Sequence, residues 1–169
     1  SRLVLALDLP NVASAERLAG ETAGIVGVYK IGFELALSGG IDLARRLADA
    51  GQAVFLDMKL LDIENTVASA TRAAAALGVR YLTVHAYPHA LRAAVSARTE
   101  GLSIVAVTLR TSMDDDDLVE AGYAARAEAL AESGRENHGL HAVVSSSFVM
   151  AGTTRSSSHA AKCASAGWR

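Results

Sequence analysis

Short, strand-sized apolar runs alternate along the chain with longer alanine-rich segments of helical pattern, and this alternation restricts the fold more than any other feature. Leu3 to Leu9, Gly27 to Phe33, Ala53 to Leu60, Tyr81 to Tyr87, Ser103 to Leu109 and His141 to Ser146 read as strands. Ala13 to Ala23, Ile41 to Ala50, Asn65 to Leu77, His89 to Arg98 and Asp115 to Glu132 mix alanine, other apolar residues and charges as helices covering a sheet do. Gly51, Gly78 and Gly139 stand where such helices should stop. Because the strands are apolar nearly throughout, both of their faces need cover, which argues for a parallel α/β sheet beneath helices. A barrel and a doubly wound sheet both satisfy the pattern.

The 169 residues, 51% hydrophobic and 20% charged, suffice for one substantial core and fit a single domain over 1–169. A net charge of −2 provides no basic stripe for nucleic acid or an anionic membrane, so neither is expected as a partner. The single cysteine, Cys163, has no internal disulfide partner, and no Cys/His spacing resembles a zinc site. These features predict a cytoplasmic protein without a bound metal. No apolar run has the length of a membrane span, and the first residues lack a secretory layout.

Directly after the apolar run Ala53-Val54-Phe55-Leu56 comes Asp57-Met58-Lys59-Leu60-Leu61-Asp62-Ile63-Glu64-Asn65-Thr66. Side chains alternate along a strand, so Asp57 and Lys59 point the same way, opposite to Val54 and Leu56. The C-terminal ends of parallel strands are where active sites of β/α folds lie. Opposite charges within hydrogen-bond reach offset one another's desolvation and form a rigid array. A surface ion-pair cluster is the plainer alternative, but it leaves Lys30 and the apolar strand beneath Lys59 unexplained. His85 reads as a satisfied core histidine rather than a catalytic group. The run Asp114-Asp115-Asp116-Asp117 reads as a solvated helix start, since four consecutive carboxylates cannot converge on one cation.

Five motifs in order then resemble one family: Leu5-Ala6-Leu7-Asp8, Tyr29-Lys30-Ile31-Gly32, Asp57-x-Lys59-x-x-Asp62-Ile63-x-Asn65-Thr66, Leu82-Thr83-Val84-His85-Ala86 and Val107-Thr108-x-x-Thr111-Ser112. Together they resemble the orotidine 5′-phosphate decarboxylases over roughly the first 145 residues. The resemblance implies a (β/α)8 TIM-type barrel that removes CO2 from orotidine 5′-phosphate to give uridine 5′-phosphate, using no cofactor and no metal. It implies that Lys59 donates a proton to the carbon losing CO2, that Asp57 lies near the departing carboxylate, and that Lys30 binds a ribose hydroxyl and holds Asp57. It also implies that Asp8 contacts the nucleoside and Thr111 the pyrimidine. A homodimer follows from the same resemblance, with Asp62, beside Ile63 and Thr66, serving the neighbouring subunit's site.

The later part of the chain departs from that pattern. A Pro-Gly-x-Arg segment and a Gly-Arg phosphate loop are absent, and Arg155 lies in neither context. A site without those donors is expected to hold a nucleotide phosphate poorly. About six β/α units are recognisable, followed by an irregular tail over 148–169, whereas an eight-fold barrel takes about 200 residues or more. The barrel is therefore expected to be incomplete. Two alternatives accompany the decarboxylase reading. One is a Mg-dependent sugar-phosphate lyase of the same superfamily, acting on 3-keto-gulonate or hexulose phosphates. Its D-x-K-x-x-D-x-G continuation differs from Asp62-Ile63-x-Asn65-Thr66. The other is an inactive, truncated or frame-disrupted fragment, motivated by the tail.

Overall fold

The computed structural model describes residues 3–108 and 114–121. Five strands, β1 (Val4–Ala6), β2 (Val28–Ile31), β3 (Ala53–Leu60), β4 (Tyr81–His85) and β5 (Ser103–Val107), form one parallel sheet in the order β1-β2-β3-β4-β5. Each strand therefore lies beside its predecessor in the chain, and a helical segment makes every crossover, the arrangement of successive β/α units. The helices are α1 (Val12–Glu21), α2 (Phe33–Leu35), α3 (Ile41–Asp49), α4 (Glu64–Ala76), α5 (Pro88–Ala97) and α6 (Asp115–Glu120). The expected strand at His141 to Ser146, Gly139 and the remainder of the expected helix through Glu132 lie outside the described residues.

Local chemistry sets several of these boundaries. Asn11 caps α1 by accepting the Ser14 amide at 2.9 Å. Gly51 and Gly78 follow α3 and α4 with φ of 76° and 77°, a left-handed conformation that side chains disfavour. At α6 the acidic run forms a capping box, Asp114 accepting the Asp117 amide and Asp117 accepting that of Asp114. The solvated helix start expected from the sequence is thus a reciprocal cap.

One connection differs from expectation. Between β2 and α3 the chain makes α2 and then a π-helical segment, Ala36–Gly40, where a plain loop would satisfy the sequence pattern. Gly39 has a φ of 96°, and a Cβ on Gly40 would fall 2.5 Å from the Leu35 carbonyl oxygen. The Ser38-Gly39-Gly40 run is here a tight turn of a continuing helical path.

The core lies between the outer sheet face and the helices. Leu5, Tyr29, Val54, Leu56, Leu82 and Ile104 point outward into it, meeting Leu35, Leu43, Val67 and Leu91. Register then determines what faces the other way. Ala6 pairs with Lys30, Lys30 with Phe55, and Phe55 with Tyr81, so these side chains share the inner face. Phe55 and Tyr81 meet edge-on, with ring centroids 6.1 Å apart. Among the described residues no helix is long and apolar enough to cross a membrane.

Candidate active site

Following that inner face toward the C-terminal ends of the strands leads from the Phe55–Tyr81 contact to a set of charges. Asp8 lies two residues past Ala6, and the Leu7 amide donates to the Lys30 carbonyl at 2.9 Å, which carries the end of β1 alongside β2. Lys30 Nζ donates to Asp8 Oδ1 at 2.9 Å and to Oδ2 at 3.2 Å. The same ammonium is 3.8 Å from Asp57 Oδ2. Asp57 Oδ1 in turn accepts from Lys59 Nζ at 2.8 Å. The resulting order is Asp8, Lys30, Asp57, Lys59, with signs alternating throughout.

Burial is graded across this array. The side chains of Lys30 and Asp57 are 7% and 15% exposed, while Lys59 is 31% and Asp8 55% exposed. A desolvated ammonium such as Lys30 needs partners, and two flanking carboxylates supply them. The expectation that Lys30 holds Asp57 needs refinement, because its direct hydrogen bonds go to Asp8 and the contact to Asp57 is a longer ion pair. Gly32 lies directly against the pair. A Cβ there would stand 3.4 Å from Asp8 Oδ1 and 3.6 Å from Lys30 Nζ.

β3 is irregular where it carries these groups. It advances from Leu56 to Leu60 while β4 advances only from Leu82 to Val84. Inside this bulge Lys59 has a φ of 43°, the only positive φ at a non-glycine position among the described residues. Its amide donates to Thr83 Oγ1 at 2.8 Å, and the Thr83 hydroxyl donates to Asp57 Oδ1 at 3.0 Å. Thr83 is 3% exposed. Sequence reading did not single it out as a site residue. The available signal was its place two residues before His85 on β4, hence on the inner face with Tyr81.

The remaining candidates stand apart from the array. Asp62, Ile63 and Thr66 are exposed at the start of α4, and Asp62 Oδ1 accepts the Ile63 amide at 2.6 Å. Ile63 occupies the helix N-cap position. His85 is half-buried with its ring edge-on to Tyr87. Thr111 and the tail lie outside the described residues. A groove of about 410 Å³ between α4 and α5, lined in part by Glu64, Arg72, Arg92 and Ser96, includes none of the charged array.

An array of this kind can position an ammonium beside a reacting carbon and hold a fixed negative charge next to it. Comparison with known proteins agrees in family. The model of the orotidine 5′-phosphate decarboxylase / HUMPS family matches residues 1–165. The orotidine 5′-phosphate decarboxylase of Methylorubrum populi is 57% identical over 73% of this chain and 53% of its own length. That of Rhodopseudomonas palustris is 51% identical over 78% of this chain and 57% of its own length. The chain thus spans somewhat over half of those curated relatives. Among solved structures, an uncharacterised conserved protein from Geobacillus kaustophilus superimposes with a TM-score of 0.70 at 32% identity, covering 79% of this chain and 67% of that one. The orotidine 5′-phosphate decarboxylase from Lactobacillus acidophilus does so with a TM-score of 0.66 at 30% identity, covering 79% and 65%. The five parallel β/α units accordingly represent part of a TIM-barrel-type fold, and the chain belongs to the orotidine 5′-phosphate decarboxylase / HUMPS family.

Proposed function

We propose that this chain carries the charged half of a decarboxylase site that converts orotidine 5′-phosphate to uridine 5′-phosphate, a step in making pyrimidine nucleotides. The observation that carries the reading is the alternating Asp8, Lys30, Asp57, Lys59 array at the C-terminal ends of β1 to β3. Loss of CO2 leaves an electron pair on the pyrimidine carbon. The partly exposed Lys59 ammonium stabilises that charge as it forms and then delivers a proton to the carbon. Asp57, held by two cations and a hydroxyl, keeps its charge next to the substrate carboxylate, and their repulsion is relieved when neutral CO2 leaves. At an effective dielectric near 20, two such charges about 4 Å apart repel by roughly 4 kcal/mol, worth about a thousandfold in rate if fully relieved. Binding energy from the rest of the nucleotide has to supply more.

Lys30, the most buried member of the array, and Asp8, the most exposed, form a hydrogen-bonded end suited to ribose hydroxyls. The reading extends to a homodimer in which Asp62 reaches the neighbouring site. What supports this is the exposure of Leu61 (46%) and Ile63 (70%) beside Asp62, with Phe33 (55%) and Tyr87 (47%) also exposed after adjacent strands.

Loss of orotidine 5′-phosphate absorbance on adding the purified chain, with CO2 released in equal amount and no effect of a metal chelator, is the expected result. No turnover at high protein concentration, or turnover of a hexulose phosphate only when Mg²⁺ is present, rejects the reading.

A further inference from the structure

We propose that Thr83 is the positioning residue that holds Lys59 and Asp57 in their working geometry, an inference that rests on the decarboxylase reading of the site. The bulge in β3 takes the Lys59 amide out of the strand ladder and gives that residue a backbone conformation with φ of 43°, which a side-chain-bearing residue adopts only when its surroundings require it. A peptide N–H that leaves a ladder needs another acceptor. Thr83 Oγ1 is that acceptor, at 2.8 Å.

Accepting this bond fixes the direction of the next one. With the Lys59 amide aimed at its oxygen, the Thr83 hydroxyl points its own proton at Asp57 Oδ1, 3.0 Å away. A short relay results, from the Lys59 backbone through Thr83 to the carboxylate that also accepts from the Lys59 side chain at 2.8 Å. The ring so formed ties the backbone of Lys59 to the ion pair made by its own side chain. Asp57 Oδ1 is thereby saturated by two donors, and Oδ2 is left facing Lys30 at 3.8 Å. At 3% exposure Thr83 is shielded from water that could replace either bond. It also sits on β4, a different strand from both groups it orients, so it transmits the sheet register to the reacting ammonium.

Thr83→Val keeps the shape of the side chain and removes both bonds, while Thr83→Ser keeps both bonds and drops a methyl group. In the full chain with orotidine 5′-phosphate, Thr83→Val is expected to lower kcat about a hundredfold with KM changed less than about threefold, and Thr83→Ser to remain within about threefold of the parent. Amide hydrogen exchange at Lys59 is expected to accelerate at least about tenfold in Thr83→Val and to stay near the parent rate in Thr83→Ser. If Thr83→Val does not fold, Thr83→Ala deletes the same two bonds and is read in the same way. Equal impairment of the Ser and Val variants, a change confined to KM, or a Lys59 amide indifferent to the loss of the hydroxyl overturns the proposal. A parent chain that turns over no orotidine 5′-phosphate overturns the decarboxylase reading instead, and the exchange of the Lys59 amide then decides the role of Thr83 alone.

Discussion

Lys59 and Asp57 meet across one intervening residue, Nζ donating to Oδ1 at 2.8 Å, because the strand that carries them is bulged where they sit. In a regular strand these two side chains would project side by side from the inner sheet face. Here the backbone turns at Lys59 with a φ of 43°, and the ammonium meets the carboxylate of its neighbour while the side chain stays 31% exposed.

Lys59→Met keeps most of the side-chain length and removes the proposed proton donor. We expect kcat to fall by at least about a thousandfold, within the range that a positioned general acid supplies. Steady-state assays of orotidine 5′-phosphate loss test this, and a variant within tenfold of the parent would remove Lys59 from the chemistry.

The two carboxylates that flank Lys30 should differ in their effect on stability. Asp57, 15% exposed, separates two ammonium groups, and Asp57→Ala leaves the buried ammonium of Lys30 facing the partly exposed one of Lys59. A loss of about 3 kcal/mol is expected. Asp8 is 55% exposed, so water can enter where its carboxylate stood and take over the two hydrogen bonds of the buried Lys30, and Asp8→Ala should cost less, about 1–2 kcal/mol. Urea unfolding at matched slope measures both, and equal losses would contradict the burial argument.

Much of this arrangement is legible in the sequence because it depends on short-range rules. The bounds of β3, Ala53–Leu60, follow from its apolar run, and the common direction of Asp57 and Lys59 follows from alternation along a strand. Thr83 escaped notice for the opposite reason. Its role exists only through the register of β4 against a bulged β3, and no local pattern marks a bulge whose positive φ falls on lysine rather than glycine. The closer pairing of Lys30 with Asp8 than with Asp57 likewise depends on how far β1 extends beside β2. The segment Phe33 to Gly40 was obscured by Ser38-Gly39-Gly40, which has the composition of a break yet continues a helical path.

Two glycines make opposite predictions from similar sequence settings. Gly40→Ala would drive a methyl group to 2.5 Å from the Leu35 carbonyl oxygen, backbone that cannot swing aside, and should destabilise by about 1–3 kcal/mol. Gly20 lies within α1 with nothing within 4 Å of the position a Cβ would take, so Gly20→Ala should stabilise by about 0.5–1 kcal/mol. Thermal unfolding of the two variants beside the parent separates them, and a Gly40→Ala variant as stable as the parent would count against the packing at Leu35.

Asp62 provides the test of the proposed homodimer, because it stands exposed outside the array formed by its own chain while Lys59 belongs to that array. If Asp62 serves the neighbouring site, each working site takes Lys59 from one subunit and Asp62 from the other. Lys59→Met and Asp62→Ala should each be nearly inactive alone. Mixed and allowed to exchange subunits, they should regain up to about a quarter of parental turnover. Half of the dimers formed at random are mixed, and one of the two sites in each mixed dimer then holds both native residues. The recovered activity should appear with the kinetics of subunit exchange and vanish on dilution below the dimer dissociation constant. A mixture that stays as inactive as its components would place Asp62 in the site of its own chain, or outside the site altogether.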